Sequence, residues 1–273
     1  MLRTIIFSLF FALLLPVFGG DKWYRGVLDF YVDVAKGNVP GHSYINKFGK
    51  NEAAEAGEDI WAGGGAYNFY PDTARSMVAI STAGADSIGG TGALTVAVFG
   101  LDSNWAEQAD TVTMVGTDSV ALSGVWRRVF RSFVVTAGAS DTNAGDISIR
   151  VAGETLTAAF IAAGEGQTQQ AIYTIPDGKT GYLVTEYMAL FNDDKNGEDG
   201  IFQWQTRANN GINGAWQVEG EIGLLNIATS WWKYDYPVPD GPFPEHTDIR
   251  VRMAAASDSM GTQAGFTVLL VDD

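Results

Sequence analysis

Polar and apolar residues alternate with a period of two along much of this chain beyond its first twenty residues, while the helical period is weak. Such alternation marks half-buried strands. Leu94–Gly100 (LTVAVFG) reads as a strand that stops at the turn Leu101-Asp102-Ser103-Asn104. Thr111–Val115 and Val125–Val135 follow, then Asp146–Val151 after the turn-forming Asp141–Gly145. Gln170–Ile175 runs into Pro176-Asp177-Gly178-Lys179, a strong turn signal, and Tyr182–Phe191 is closed by Asn192–Gly197. Later strands are predicted around Phe202–Arg207, Trp216–Ile222, Thr247–Met253 and Gly265–Val271. Strands at about 10–15-residue intervals, with turn chemistry between them, predict an all-β fold, an antiparallel β-sandwich or jelly-roll-like architecture. It forms one large domain or two packed ones, a first sandwich over 35–168 and, over 169–273, a second sandwich or the second half of the same one.

Two segments interrupt the pattern. Residues 43–65 pass through Gly49, Gly57 and Gly63-Gly64-Gly65 with acids from Glu52 to Asp59, which predicts a loop or arm. Tyr236–Pro244 holds four prolines and is expected to be an extended polyproline-type connection across a sheet end.

The N-terminus has its own logic. Met1-Leu2-Arg3 is a short positive start, Ile5–Val17 is almost wholly apolar, and small residues precede Asp21. This is the layout of a secretory signal peptide over residues 1–20, too short for a transmembrane helix of ~20 apolar residues. Its removal would free Tyr24–Val34, where Leu28, Phe30, Val32 and Val34 share one parity. Residues 21–34 therefore read as a strand whose apolar face fits a groove of the next subunit. The same pattern serves a strand paired within its own sheet, and the sequence leaves both open.

Composition narrows the function. Formal net charge is −15, with 32 acidic and 17 basic residues, which argues against nucleic acid and, after cleavage of the signal, against a membrane surface as partner. Cysteine is absent, so an exported protein of this sequence has neither disulfides nor thiol chemistry. The two histidines, His42 and His246, stand apart in Gly- or Pro-flanked loops and support neither a His-centred triad nor a zinc site. Gly164-Glu165-Gly166-Gln167-Thr168 lacks the ending of a phosphate loop and reads as a glycine-rich connection. Asp194, Asn196 and Glu198 offer oxygens at alternate positions, as calcium loops do, and are the candidate structural Ca²⁺ ligands; a plain Asn-Gly turn explains the same residues. No other cofactor is indicated. Eight tryptophans, including Trp231-Trp232, could stack on sugars, although alternation sends one of that pair inward.

Several blocks together resemble β-rich virion structural proteins of tailed phages of aquatic bacteria. They are Gly41–Asn51 (GHSYINKFGKN), Val96–Asp102, Trp126–Arg131, the long Ala162–Leu183, Pro242–Glu245, Thr247–Ile249 and Leu269–Asp273. The resemblance spans roughly residues 35–273, and its middle block is its most specific part. It implies a non-enzymatic assembly subunit and brings no catalytic residues. Residues 1–34 lie outside it, and a signal-like start departs from proteins that assemble in a host cytoplasm. The reading that joins these observations is a secreted structural subunit, a filament or virion-like surface assembly whose partners are copies of itself and surface glycan. A secreted carbohydrate-binding β-sandwich is the alternative, and a glycosidase, which needs two carboxylates across a cleft, ranks last.

Overall fold

The computed structural model describes residues 27–191, 198–209, 214–226 and 229–273. The chain divides into two compact units, one reaching to Pro40 and one spanning Gly41–Asp273. The signal-like residues 1–20 lie outside the described residues.

In the first unit the described element is a helix, α1 (Val27–Ala35), where a strand was expected. Val27, Phe30, Tyr31 and Val34 fall at the i, i+3, i+4, i+7 spacing of one helical face, so this segment satisfies both periods and the helix prevails. Gly37, at φ 72°, ends it with paired bonds: the Gly37 N–H donates to Val34 O and the Asn38 N–H to Asp33 O. Phe30 is half-buried, Val32 exposed and Val34 buried, so these three do not form one strand face. Leu28 belongs to the helix as well. Residues 27–35 are therefore helical, not extended, and the strand expected there is replaced by α1.

The second unit is all-β. Among the described residues its strands are β1 (His42–Ala54), β2 (Glu58–Asp59), β3 (Met77–Ser81), β4 (Ala93–Leu101), β5 (Glu107–Thr113), β6 (Val120–Ala121), β7 (Arg128–Ala137) and β8 (Ile147–Val151). The series continues with β9 (Thr157–Ile161), β10 (Ile172–Thr174), β11 (Lys179–Phe191), β12 (Glu198–Arg207), β13 (Gln217–Asn226), β14 (Thr229–Phe243), β15 (Asp248–Ala256) and β16 (Met260–Asp272). All the ladders are antiparallel.

Four sheets make two sandwiches. In the outer one, β1-β16-β11-β14 faces β10-β15-β12-β13, with β2 also on β15. Phe202, Trp204, Ile249, Val251, Phe266 and Val268 meet between these sheets. In the inserted one, β6-β3-β8-β9 faces β5-β4-β7 around Phe69, Met77, Val96, Trp126, Ile147 and Ile149. The chain enters and leaves the insert side by side: Trp61 bridges Gln170, and the Ala171 N–H donates to Ile60 O. The division is thus not a linear one at residue 168. Residues 42–60 belong with the C-terminal strands because β1 pairs with β16 from His42↔Val271 to Ala54↔Met260. β7 serves both cores, with Val129 facing the insert and its neighbour Phe130 facing the outer core.

β1 corrects the expected loop over 43–65. Its inward positions include Lys47, Gly49 and Asn51, all buried, so no apolar alternation announces it. Gly49 is required there by crowding, since a Cβ would stand 2.0 Å from Ile60 O and 2.5 Å from Ala171 N. The expected polyproline connection is instead the second half of β14, where the register on β11 slips twice between Gly181 and Thr185.

Candidate functional site

A cluster of buried charges lies at the junction of the two sandwiches. Asp248, at the start of β15, is fully buried. Arg128 of β7 grips it with Nε 2.8 Å from Oδ1 and Nη2 3.0 Å from Oδ2. Arg207 of β12 adds a 2.6 Å bond to Oδ2 and the Thr174 hydroxyl a 2.6 Å bond to Oδ1. Burial alone would push this carboxyl up, but Arg128, then Arg207 and Thr174, hold it below the usual carboxylate range. Asp59 shows the opposite balance. Its desolvation outweighs Arg250, 3.3 Å away, and the Tyr67 N–H bond, so its carboxyl is pushed up.

Aromatic rings cover the guanidinium groups. Trp216 lies 3.8 Å from the Arg250 guanidinium and 4.5 Å from that of Arg207, and Tyr70 lies 4.4 Å from Arg207. Trp105 takes Arg127 at 4.6 Å and Arg128 at 4.8 Å. Guanidinium–carboxylate forks capped by rings are a rigid joint, one that breaks only at the cost of a buried unpaired charge. With its charged members buried, this cluster has the form of a fastener between domains.

The surface tells a different story at β13 and β14, which are the terminal strands of their two sheets. Val218, Leu225, Trp231, Tyr234 and Val238 are exposed on them, five of the ten exposed large hydrophobics among the described residues. Trp231 and Val238 are the most open of the five, at 70% and 77%. Pro237, Pro239 and Pro242 blunt the second half of β14, while Thr229–Tyr236 contains no proline. The expected alternation of the tryptophan pair is seen: Trp231 points out and Trp232 packs against the outer core.

Between these strands and β11 is a cleft of about 230 Å³, lined by Glu186, Met188, Gly220, Glu221, Ile222, Trp232, Tyr234 and Tyr236. The Trp232 and Tyr234 rings are parallel within 4° at 6.0 Å, and Tyr236 stands at 89° to Tyr234. Glu186 is 4% exposed. Its Oε1 accepts the Tyr236 hydroxyl at 2.8 Å, and its Oε2 has no hydrogen-bond partner among the described residues. Burial pushes its carboxyl up, the Tyr236 bond opposes this, and Asp240 adds to the rise.

The remaining candidates are placed as follows. Asp194 and Asn196 lie outside the described residues, and Glu198 opens β12. His42 opens β1. His246 sits at φ 65° in the turn before β15, its Nε2 3.1 Å from Asp177 Oδ1 and its ring stacked on Trp105 at 4.6 Å. With Glu245 it forms the one cluster among the described residues whose ligand atoms, all within 4.8 Å, could hold a metal ion. Glu245 already accepts the Gly178 N–H, so the cluster also pins two turns together. Sequence reading missed this grouping because residue 177 and residues 245–246 lie on turns far apart in the chain. It missed Glu186 and Asp248 for the same reason. The Gly164–Thr168 segment docks beside β7, where the Thr168 N–H donates to Ser132 O, in keeping with a glycine-rich connection.

No protein-family model matches the chain, and no curated protein sequence matches it. Among solved structures, T=1 particles derived from infectious bursal virus align at 10% identity over 85% of this chain and 74% of that one, with a TM-score of 0.23. The Gt strain of infectious bursal disease virus gives 10% identity over 89% and 78%, TM-score 0.23. The VP2 subviral particle of that virus gives 9% over 85% and 72%, TM-score 0.22. TM-scores this low leave the superpositions too loose to carry an argument about topology or activity.

Proposed function

We propose that this chain is a non-enzymatic structural subunit that associates with further copies of itself through the open edges of β13 and β14, forming a filament or virion-like surface assembly. The observation that carries the reading is the placement, among the described residues, of half of the exposed large hydrophobics on these two terminal strands. An unpaired strand edge offers N–H and C=O groups to a neighbour, and apolar side chains beside it supply the area that stabilises contact. The sealed ionic junction supports the same reading, since it spends its charged groups on holding one shape. Export ahead of assembly, drawn from the signal-like residues 1–20, belongs to this proposal, as does kinship with phage virion proteins.

The carbohydrate-binding alternative has one favourable observation, the aromatic cleft. Its side-chain lining, however, is rings, aliphatic groups, two carboxyls and tyrosine hydroxyls, with no amide, guanidinium or ammonium group.

Sedimentation velocity and negative-stain microscopy of the purified protein at micromolar concentration test the assembly reading. Wild type should form filaments or closed particles. The double variant Trp231→Lys, Val238→Lys should sediment as a folded monomer with unchanged circular dichroism. Monodisperse wild-type monomer sinks self-assembly, and an unaffected assembly in the variant moves the interface elsewhere.

A further inference from the structure

The cleft between β11, β13 and β14 combines features that the assembly reading does not use. Three rings line the cleft beside Glu186, a residue 4% exposed, and one of its carboxyl oxygens has no hydrogen-bond partner among the described residues. A buried acceptor left open is costly unless something fills it. The other charges facing it are also acidic. Glu221 lines the cleft from β13, and Asp240 of β14 is close enough to disfavour ionisation of both Glu186 and Tyr236. Glu221 accepts the Gln203 side-chain amide at 2.7 Å, which partners it without neutralising it. The lining itself contains no cationic side chain.

Aromatic rings with unneutralised carboxyls are the chemistry that holds organic ammonium groups, through the ring quadrupole and direct charge pairing. A volume of about 230 Å³ falls below the ~300–1,000 Å³ of pockets for drug-sized ligands, so it suits one headgroup. We propose that this cleft binds an alkyl- or methylammonium group, seated among Trp232, Tyr234 and Tyr236 with the Glu186 carboxyl as its counter-charge. Such a headgroup belongs to a free quaternary amine or to the primary ammonium of a lysine-like chain. Gly220 lines the cleft as well: a Cβ there would lie 3.8 Å from Glu186 Oε1, so a larger side chain at this position would take up space beside that carboxyl.

The test is isothermal titration of the full chain with choline, n-butylammonium, neopentyl alcohol and methyl glucoside. Sedimentation of the same samples keeps any failure of assembly distinct from failure of binding. One or both ammonium probes should bind, with the alcohol at least about tenfold weaker. Preference for choline identifies a quaternary group, and preference for n-butylammonium a lysine-type one. Glu186→Gln should lose about tenfold or more in ammonium affinity, and Gly220→Val should abolish binding while keeping every carboxyl. Acidification should weaken binding, because protonating Glu186 removes the counter-charge while its neighbours Tyr236, Asp240 and Glu221 supply no cation. The proposal is overturned if no ammonium probe binds, if the alcohol or glucoside binds equally well, or if both variants bind as wild type does.

Discussion

The two sandwiches treat their edges in opposite ways. Among the insert's terminal strands β6 has 2 residues, β9 has 5 and β5 is the largely polar Glu-Gln-Ala-Asp-Thr-Val-Thr, while the outer edge of the fourth, the 10-residue β7, is partly covered: the Val134 N–H donates to Gly166 O and the Thr168 N–H to Ser132 O. Short, charged edges resist pairing with other chains. In the outer sandwich β13 has 10 residues and β14 has 15, and their exposed positions include Trp, Leu and Val. One chain thus protects the edges of one sandwich and leaves two edges of the other, β13 and β14, open. The contrast locates association at the outer sandwich and assigns the insert the role of a closed body clamped to it by Asp248.

The largest effect is expected from breaking the clamp. Asp248→Ala leaves Arg128 and Arg207 buried without their counter-charge, which should cost about 3–5 kcal/mol. Urea denaturation should show this loss, and a transition split in two would mean that the sandwiches fold separately once the joint is gone. Trp126→Ala, at a fully buried site of the insert core, should cost about 3–5 kcal/mol by opening a cavity. If the clamp couples the two cores, a single transition moves as a whole; an outer sandwich that melts at its wild-type midpoint denies the coupling.

Gly49→Ala sharpens the comparison from the other side. The added methyl meets backbone of Ile60 and Ala171, on the segments that carry the chain into and out of the insert, and no rotamer relieves that contact. A loss of about 3 kcal/mol is expected in the same denaturation assay. Wild-type stability would mean that this crossing is looser than its geometry.

How much of this was legible in the sequence depended on which residues faced inward. Strands such as β8, whose inward Ile147, Ile149 and Val151 alternate with polar neighbours, were readable directly. β1 was not, because its inward side carries Lys47, Gly49 and Asn51, and its partner β16 lies at the far end of the chain. Residues 27–35 carried two periods at once, and the pattern alone could not choose between them. The cleft around Glu186 and the clamp around Asp248 were hidden for a topological reason. Their members come from three or more strands, and only the insertion of one sandwich into the other brings Arg128 to Asp248.

The smallest effect, and the most specific, separates the two buried carboxyls by pH. Asp248 is held below its ordinary value, so its charge adds stability above the unfolded carboxylate range near 3.9, and that stability is lost as pH falls through its depressed value. Asp59 is pushed up, so its charge costs stability at neutral pH, and the cost is relieved as pH falls through its raised value toward the unfolded one. Asp59→Asn should therefore shift stability at neutral pH by only about 1 kcal/mol, with the loss of its Arg250 pairing offset by relief of desolvation. Its pH profile should lose the gain that wild type shows on mild acidification. Asp248→Asn should instead remove the steep loss that wild type shows at strongly acid pH. Denaturation midpoints measured from neutral to strongly acid pH distinguish the two, and identical profiles for both variants would show that the clamp at Asp248 and the pair at Asp59 do not differ as their surroundings require.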